Sequence, residues 1–223
     1  MITYHHYNYL KSRISQLIIY ILPDIDPSLQ YSDKDIDLIR AFYLLCHTEI
    51  EVYIENIIKS VAKDAYDKWS TNKNIITTII FNLALNYNLE QNKKKESPYS
   101  MVCLSYKDLE NAIEKNNGIK EQNIDGLLRY IGFEMDHTLK TTLNNYGEKR
   151  GKIAHKLYDP QNPLDPAIAK NETLQILNGL ALFDVGIINY GANSLTNQSH
   201  TFSHNKKRKN LCEYIKSLLH FKK

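Results

Sequence analysis

The sequence predicts an all-α protein, a helical bundle of five or more helices, and three observations carry that expectation. Apolar residues recur at steps of three and four along most of the 223-residue chain. Eight glycines and six prolines are too few for the many tight turns of a sandwich or barrel. No stretch alternates apolar and polar residues as a half-buried strand does. With 43% hydrophobic residues the chain can build a core of its own. The expected organisation is one helical domain over residues 1–191, followed by a basic, partly flexible segment at 192–223 with a short helix of its own.

Each element has its signal. Thr3 to Leu22 is periodic, rich in tyrosine and stopped by Pro23. Ser32 with Asp35 three residues on forms a capping box, opening a long helix to about Lys68 through Ile36, Ile39, Tyr43, Ile50, Ile54, Ile57 and Val61. Ile75 to Tyr87 is apolar almost all round, hence a buried helix. Residues 88–104, polar with a lysine triplet and Pro98, read as a loop, and Ser105 with Asp108 as the cap of a helix ending before Asn117-Gly118. Asn123 to Phe133 and residues 138–158 are two further helices. Asp159 to Pro166 reads as a rigid connector, Asn171 as the cap of an apolar helix to Ile188, and Lys209 to His220 as a short last helix.

Composition narrows the function. A net charge of +3 is too small to argue for nucleic acid alone, although Lys93 to Lys95 and His204 to Lys209 are locally basic; either run suits a phosphate backbone or plain solvent. Cys46, Cys103 and Cys212 are isolated, which fits a reducing cytosol and offers no disulfide framework. There is no signal-peptide pattern, and the apolar runs Leu17 to Leu22 and Ile75 to Leu85 are too short to cross a bilayer, so a cytoplasmic protein without membrane partners is expected. Gly-rich phosphate loops, His-Glu-x-x-His and clustered acids are absent, so no cofactor and no metal is expected.

The informative stretch is Lys-Arg-Gly-Lys-Ile-Ala-His, residues 149–155. Leu139, Leu143, Tyr146, Ile153, Ala154 and Leu157 draw one apolar stripe, and Arg150 stands inside it where an apolar residue belongs. A guanidinium keeps its charge, so there it needs an acid, a phosphate or a wet groove, or else it snorkels to solvent on its methylenes. His155 lies about 140° around an ideal helix from Arg150, so the two do not stack; a loosened turn at Gly151, or a second copy of the helix, would bring them together.

Arg150-Gly-Lys-Ile-Ala-His155 resembles the R-x(4–6)-H signature of HEPN domains (higher eukaryotes and prokaryotes nucleotide-binding), and Leu-Leu-Cys-His-Thr-Glu-Ile-Glu-Val-Tyr-Ile, residues 44–54, resembles the LE-x-[FY] helix of their RiboL-PSP and MAE-like branches. The resemblance covers roughly residues 35 to 190. It implies a metal-independent endoribonuclease that uses the 2′-OH of its RNA substrate, with Arg150 on the scissile phosphate and His155 as general acid or base. Glu51 falls on the motif glutamate and would orient Arg150 or tune the histidine; an ordinary His47–Glu51 pair one turn apart is the alternative. Lys149, Lys152 and His47 are the candidate RNA contacts, the lysines being equally readable as solvated surface. The resemblance further implies a homodimer with a composite cleft of two Arg150 and two His155, and a role as a toxin or anti-phage effector with an antitoxin or defence partner. One departure bears on activity: active members commonly carry Asn, Asp or His after the arginine, and here Gly151 follows it. A catalytically silent module that binds nucleotide or a partner protein is the alternative.

Overall fold

In the computed structural model the described residues are 5–26, 28, 30–72, 75–90, 97–155 and 164–192. They form seven helices: α1 (His6–Tyr20), α2 (Asp33–Thr71), α3 (Thr78–Glu90), α4 (Pro98–Glu114), α5 (Glu121–Ile131), α6 (His137–His155) and α7 (Pro166–Ala192). No strand occurs among them, so the chain is all-α as expected. No helix among the described residues is long and apolar enough to cross a membrane. The basic run 204–209, the helix expected at 209–220 and the connector at 159–163 lie outside the described residues.

The chain divides into two compact units. The first combines Met1–Ile57, Asn116–Asp125 and Met135–Gly186. Its core is drawn from α1 (Leu10, Ile14, Leu17), the first half of α2 (Ile39, Phe42, Tyr43, Cys46, Ile50), α6 (Leu139, Leu143, Tyr146) and α7 (Thr173, Ile176, Leu180). The Tyr43 and Tyr146 rings meet at 5.4 Å between centroids. Leu139 fills the space over Gly179, where an added Cβ would stand 2.7 Å from Leu139 Cδ1. The second unit begins at Ile58 and includes α3, α4 and Gly126–Glu134. Its aromatic side chains stack: Tyr66 on Tyr106 at 4.4 Å and Trp69 on Tyr99 at 5.4 Å.

The capping box opens α2 as the sequence predicts. Asp35 N donates to Ser32 Oγ at 3.3 Å, and Ser32 N donates back to Asp35 Oδ2 at 3.0 Å. Several helix starts differ from the sequence reading. α4 begins at Pro98 rather than Ser105: Ser97 Oγ caps it by accepting from Ser100 N at 3.2 Å, and Pro98 sits at the start, where a missing N–H costs nothing. Ser105 is therefore a buried residue inside the helix. α7 begins at Pro166 rather than Asn171, because Asp165 Oδ1 accepts from Ile168 N at 2.9 Å and Pro166 again takes the first position. α3 runs from Thr78 to Glu90, three residues later than Ile75 to Tyr87, with Thr77 Oγ1 accepting from Ile80 N at 3.2 Å.

Candidate functional site

Three of the candidate residues meet in the first unit. His47 and Glu51 lie one turn apart on α2, and a further turn carries Glu55, so all three project from one side of the helix. α6 brings Arg150 to that side. Along α6 the buried positions are Leu139, Leu143, Tyr146 and Gly147, and Arg150 extends the same stripe by one turn, half-buried. The guanidinium that breaks the apolar pattern thus meets a polar face of α2, and its charge acts on both His47 and Glu51.

His47 is 3% exposed. Burial, aided by the Arg150 cation, holds its imidazole down at about 4, so the ring is neutral at neutral pH. Glu51 Oε2 stands 3.7 Å from His47 Nδ1, and with a neutral ring that approach is no ion pair. His47 Nδ1 and Arg150 Nε are both buried without a hydrogen-bond partner among the described residues. Burial and the neighbouring Glu55 push the Glu51 carboxyl up, while the Gly118 backbone N–H and Arg150 draw it back.

The turn between α4 and α5 closes the site, and sequence reasoning missed it. Asn116 Nδ2 donates to Glu55 Oε1 at 2.7 Å and to Gly118 O at 3.1 Å, and Glu51 Oε1 at 3.4 Å shares one of these two hydrogens. Gly118 has φ +133°, a conformation open to glycine, and its Cα faces the His47 ring; a Cβ there would stand 4.0 Å from Cε1 and Nε2. Asn117-Gly118 was legible as a helix stop, but nothing in the local sequence ties it to residues some sixty positions earlier.

The other candidates lie elsewhere. α6 continues as a regular helix through Gly151, and His155 is its last residue, exposed. Five residues of unbroken helix turn it about 140° and raise it about 7.5 Å from Arg150. Lys152 is exposed. Lys149 is engaged: its Nζ contacts both carboxylate oxygens of Glu172 at 2.9 Å and lies 4.8 Å from the centre of the Tyr43 ring, while Tyr43 OH donates to Glu172 Oε2 at 2.7 Å. Glu49, on the other side of α2, pairs with Arg13 at 3.0 Å. A Cβ on Gly151 would meet nothing within 4 Å, so the backbone beside Arg150 is open to approach. No group of three or more His, Cys, Asp or Glu among the described residues is arranged to hold a metal ion. The Cys46 thiol, fully buried, is pushed up to about 12 by burial and is no nucleophile.

A fixed cation, a carboxylate at its back and an open backbone beside it can bind and orient a phosphodiester. A family model described as RiboL-PSP-HEPN matches residues 8–181, which takes in α2, the turn at Asn116 and all of α6. No curated protein and no solved structure matches the chain.

Proposed function

The chain belongs to the RiboL-PSP-HEPN family, and from that premise we propose that it is a metal-independent endoribonuclease whose nucleophile is the 2′-OH of its RNA substrate. One observation carries the reading: Arg150, the arginine of the family signature, is held half-buried beside the His47–Glu51 face of α2 and next to open space at Gly151. HEPN domains are commonly ribonuclease modules, and a positioned guanidinium is what a scissile phosphate needs as it gains charge.

In this reading two copies of the chain pair so that Arg150 and His155 of both line one cleft. One His155 takes the proton of the 2′-OH as its oxygen attacks phosphorus. The P–O5′ bond breaks, and the same His155, now protonated, returns that proton to the leaving oxygen. The products are a 2′,3′-cyclic phosphate and a 5′-hydroxyl. Glu51 orients Arg150, and the exposed Lys152 adds positive potential along the RNA backbone; of the other expected RNA contacts, His47 is buried and neutral and Lys149 is tied to Glu172. The biological setting is a toxin or anti-phage effector in the cytoplasm, restrained by an antitoxin or defence partner.

A second reading, a silent module that binds nucleotide or a partner protein, is favoured by Gly151, which puts no polar side chain directly after Arg150. One experiment separates the two. Total RNA and tRNA are incubated with the wild-type, Arg150→Ala and His155→Ala proteins in EDTA. The nuclease reading expects wild-type cleavage and a loss of roughly 10²–10⁴-fold in each variant. Binding of a labelled oligonucleotide without cleavage supports the silent module. Equal cleavage by all three proteins sinks the assignment of the site.

A further inference from the structure

Glu51 and Glu55 stand one turn apart on a half-buried helix face, and two carboxylates so placed repel each other. They are nevertheless held on the same side of α2 that receives Arg150. We propose that Asn116 is the positioning residue of this site: its amide holds the two carboxylates together and sets the orientation of Glu51 toward Arg150. The catalytic consequence rests on the ribonuclease reading; the grip on the carboxylates does not.

The geometry supplies two routes from Asn116 to Glu51. The direct one is the amide itself, which bonds Glu55 Oε1 at 2.7 Å and reaches Glu51 Oε1 at 3.4 Å, so one group donates to both acids. The indirect one runs through the turn. Asn116 Nδ2 also donates to Gly118 O at 3.1 Å, folding residues 116–118 on themselves, and the Gly118 N–H then donates to the Glu51 carboxylate. The same turn points the open side of Gly118 toward His47, whose ring a Cβ there would approach to 4.0 Å. The groups acting on Glu51 are accordingly Glu55 and the neutral His47 from its own helix, Arg150 from α6, and Asn116 with Gly118 from the turn.

Residue type matters here. The position needs a neutral side chain with two N–H hydrogens on one nitrogen. A lysine would bring a positive charge that competes with Arg150 for Glu51. An aspartate would add a third carboxylate, and a serine offers a single proton. Glutamine keeps the amide but displaces it by a methylene.

The test uses the intact protein and two readouts. Carboxyl ¹³C titration of Glu51 and Glu55 is compared in wild type, Asn116→Ala, Asn116→Asp and Asn116→Gln. The Ala variant is expected to raise the Glu51 midpoint by about half to one pH unit, the Asp variant by more, and the Gln variant to recover part of the loss. RNA cleavage is then followed against pH. At each pH kcat should fall about tenfold with KM within about twofold, because orientation and not binding is lost. In a Glu51→Gln background Asn116→Ala should have no further effect on cleavage. An unmoved Glu51 midpoint in the Ala variant overturns the proposal, and so does a full effect of Asn116→Ala in the Glu51→Gln background. If the midpoint moves but the wild-type protein cleaves no RNA, the ribonuclease reading fails and the role of Asn116 stands. Should the Ala variant not fold, Asn116→Ser, which keeps one donor, decides by the same midpoint.

Discussion

A neutral imidazole buried beside a fixed cation makes stability depend on pH, and His47 sets the sign. In the unfolded chain it titrates at the ordinary value of 6.5; in the folded protein burial and Arg150 hold it at about 4. Between those values the unfolded state binds more protons, so the contribution of His47 is fully present above 6.5 and is lost as pH falls toward about 4. Glu51 acts in the opposite sense: its raised carboxyl lets the folded protein keep a proton longer, and that contribution is lost as pH rises through its own range. The two are separable by substitution. His47→Gln should flatten the loss of stability between pH 6.5 and 4.5, by about 2 kcal/mol. Urea unfolding of both proteins at the two pH values measures it, and equal losses would refute the assignment. The glycines of the site differ just as sharply. Gly151 lies inside a helix with nothing within 4 Å of a would-be Cβ, so Gly151→Ala should raise stability by about 0.5–1 kcal/mol. Gly118, at φ +133°, should lose about 1–3 kcal/mol on the same change. Thermal unfolding of the two variants tests the contrast, and two changes of the same sign would sink it.

At the scale of elements, α6 presents Arg150 because its preceding turns are fastened to α2 and α7. Tyr146 OH and Thr173 Oγ1 are 3.0 Å apart and buried, and Thr173 Oγ1 also donates to Ala169 O at 2.9 Å. That second bond makes the two deletions unequal. Tyr146→Phe leaves Thr173 with a partner and should cost about 0.5–1.5 kcal/mol. Thr173→Val leaves the phenol only the weak thiol of Cys46 and should cost about 1–3 kcal/mol. Denaturant midpoints of the two variants check the order, and a reversed order would mean that the phenol has another partner. Much of this arrangement was legible in the sequence. The stripe through Leu139, Leu143 and Tyr146 pointed to the buried face of α6, and the guanidinium interrupting it marked where a polar partner had to be. Glu51 was reachable through its motif. The helix starts at Pro98 and Pro166 were not, because a proline reads equally well as the end of a loop and the first residue of a helix, and only capping by Ser97 and Asp165 decides between them. Asn116 left no local signal at all, since its partners on α2 are distant in sequence and periodicity carries no information about which loop returns to which helix.

At the scale of the whole molecule, the unbroken helix between Arg150 and His155 determines how many chains a complete site requires. A regular α6 turns His155 about 140° away from Arg150, and Gly151, although it could have relaxed the turn, leaves the helix intact. If the cleft is made by two copies, with each Arg150 served by the partner's His155, then Arg150→Ala and His155→Ala proteins inactivate different halves of each site. Mixed after partial unfolding and refolding together, half of the dimers pair one chain of each kind. Each such dimer carries one site with both groups intact, so roughly a quarter of wild-type cleavage should return from two inactive proteins. Activity should follow subunit exchange in time and fall on dilution below the dimer dissociation constant. Should the mixture stay as inactive as its components while mass measurements show that mixed dimers form, the arginine and histidine of one site come from the same chain, and α6 must bend at Gly151 when RNA binds.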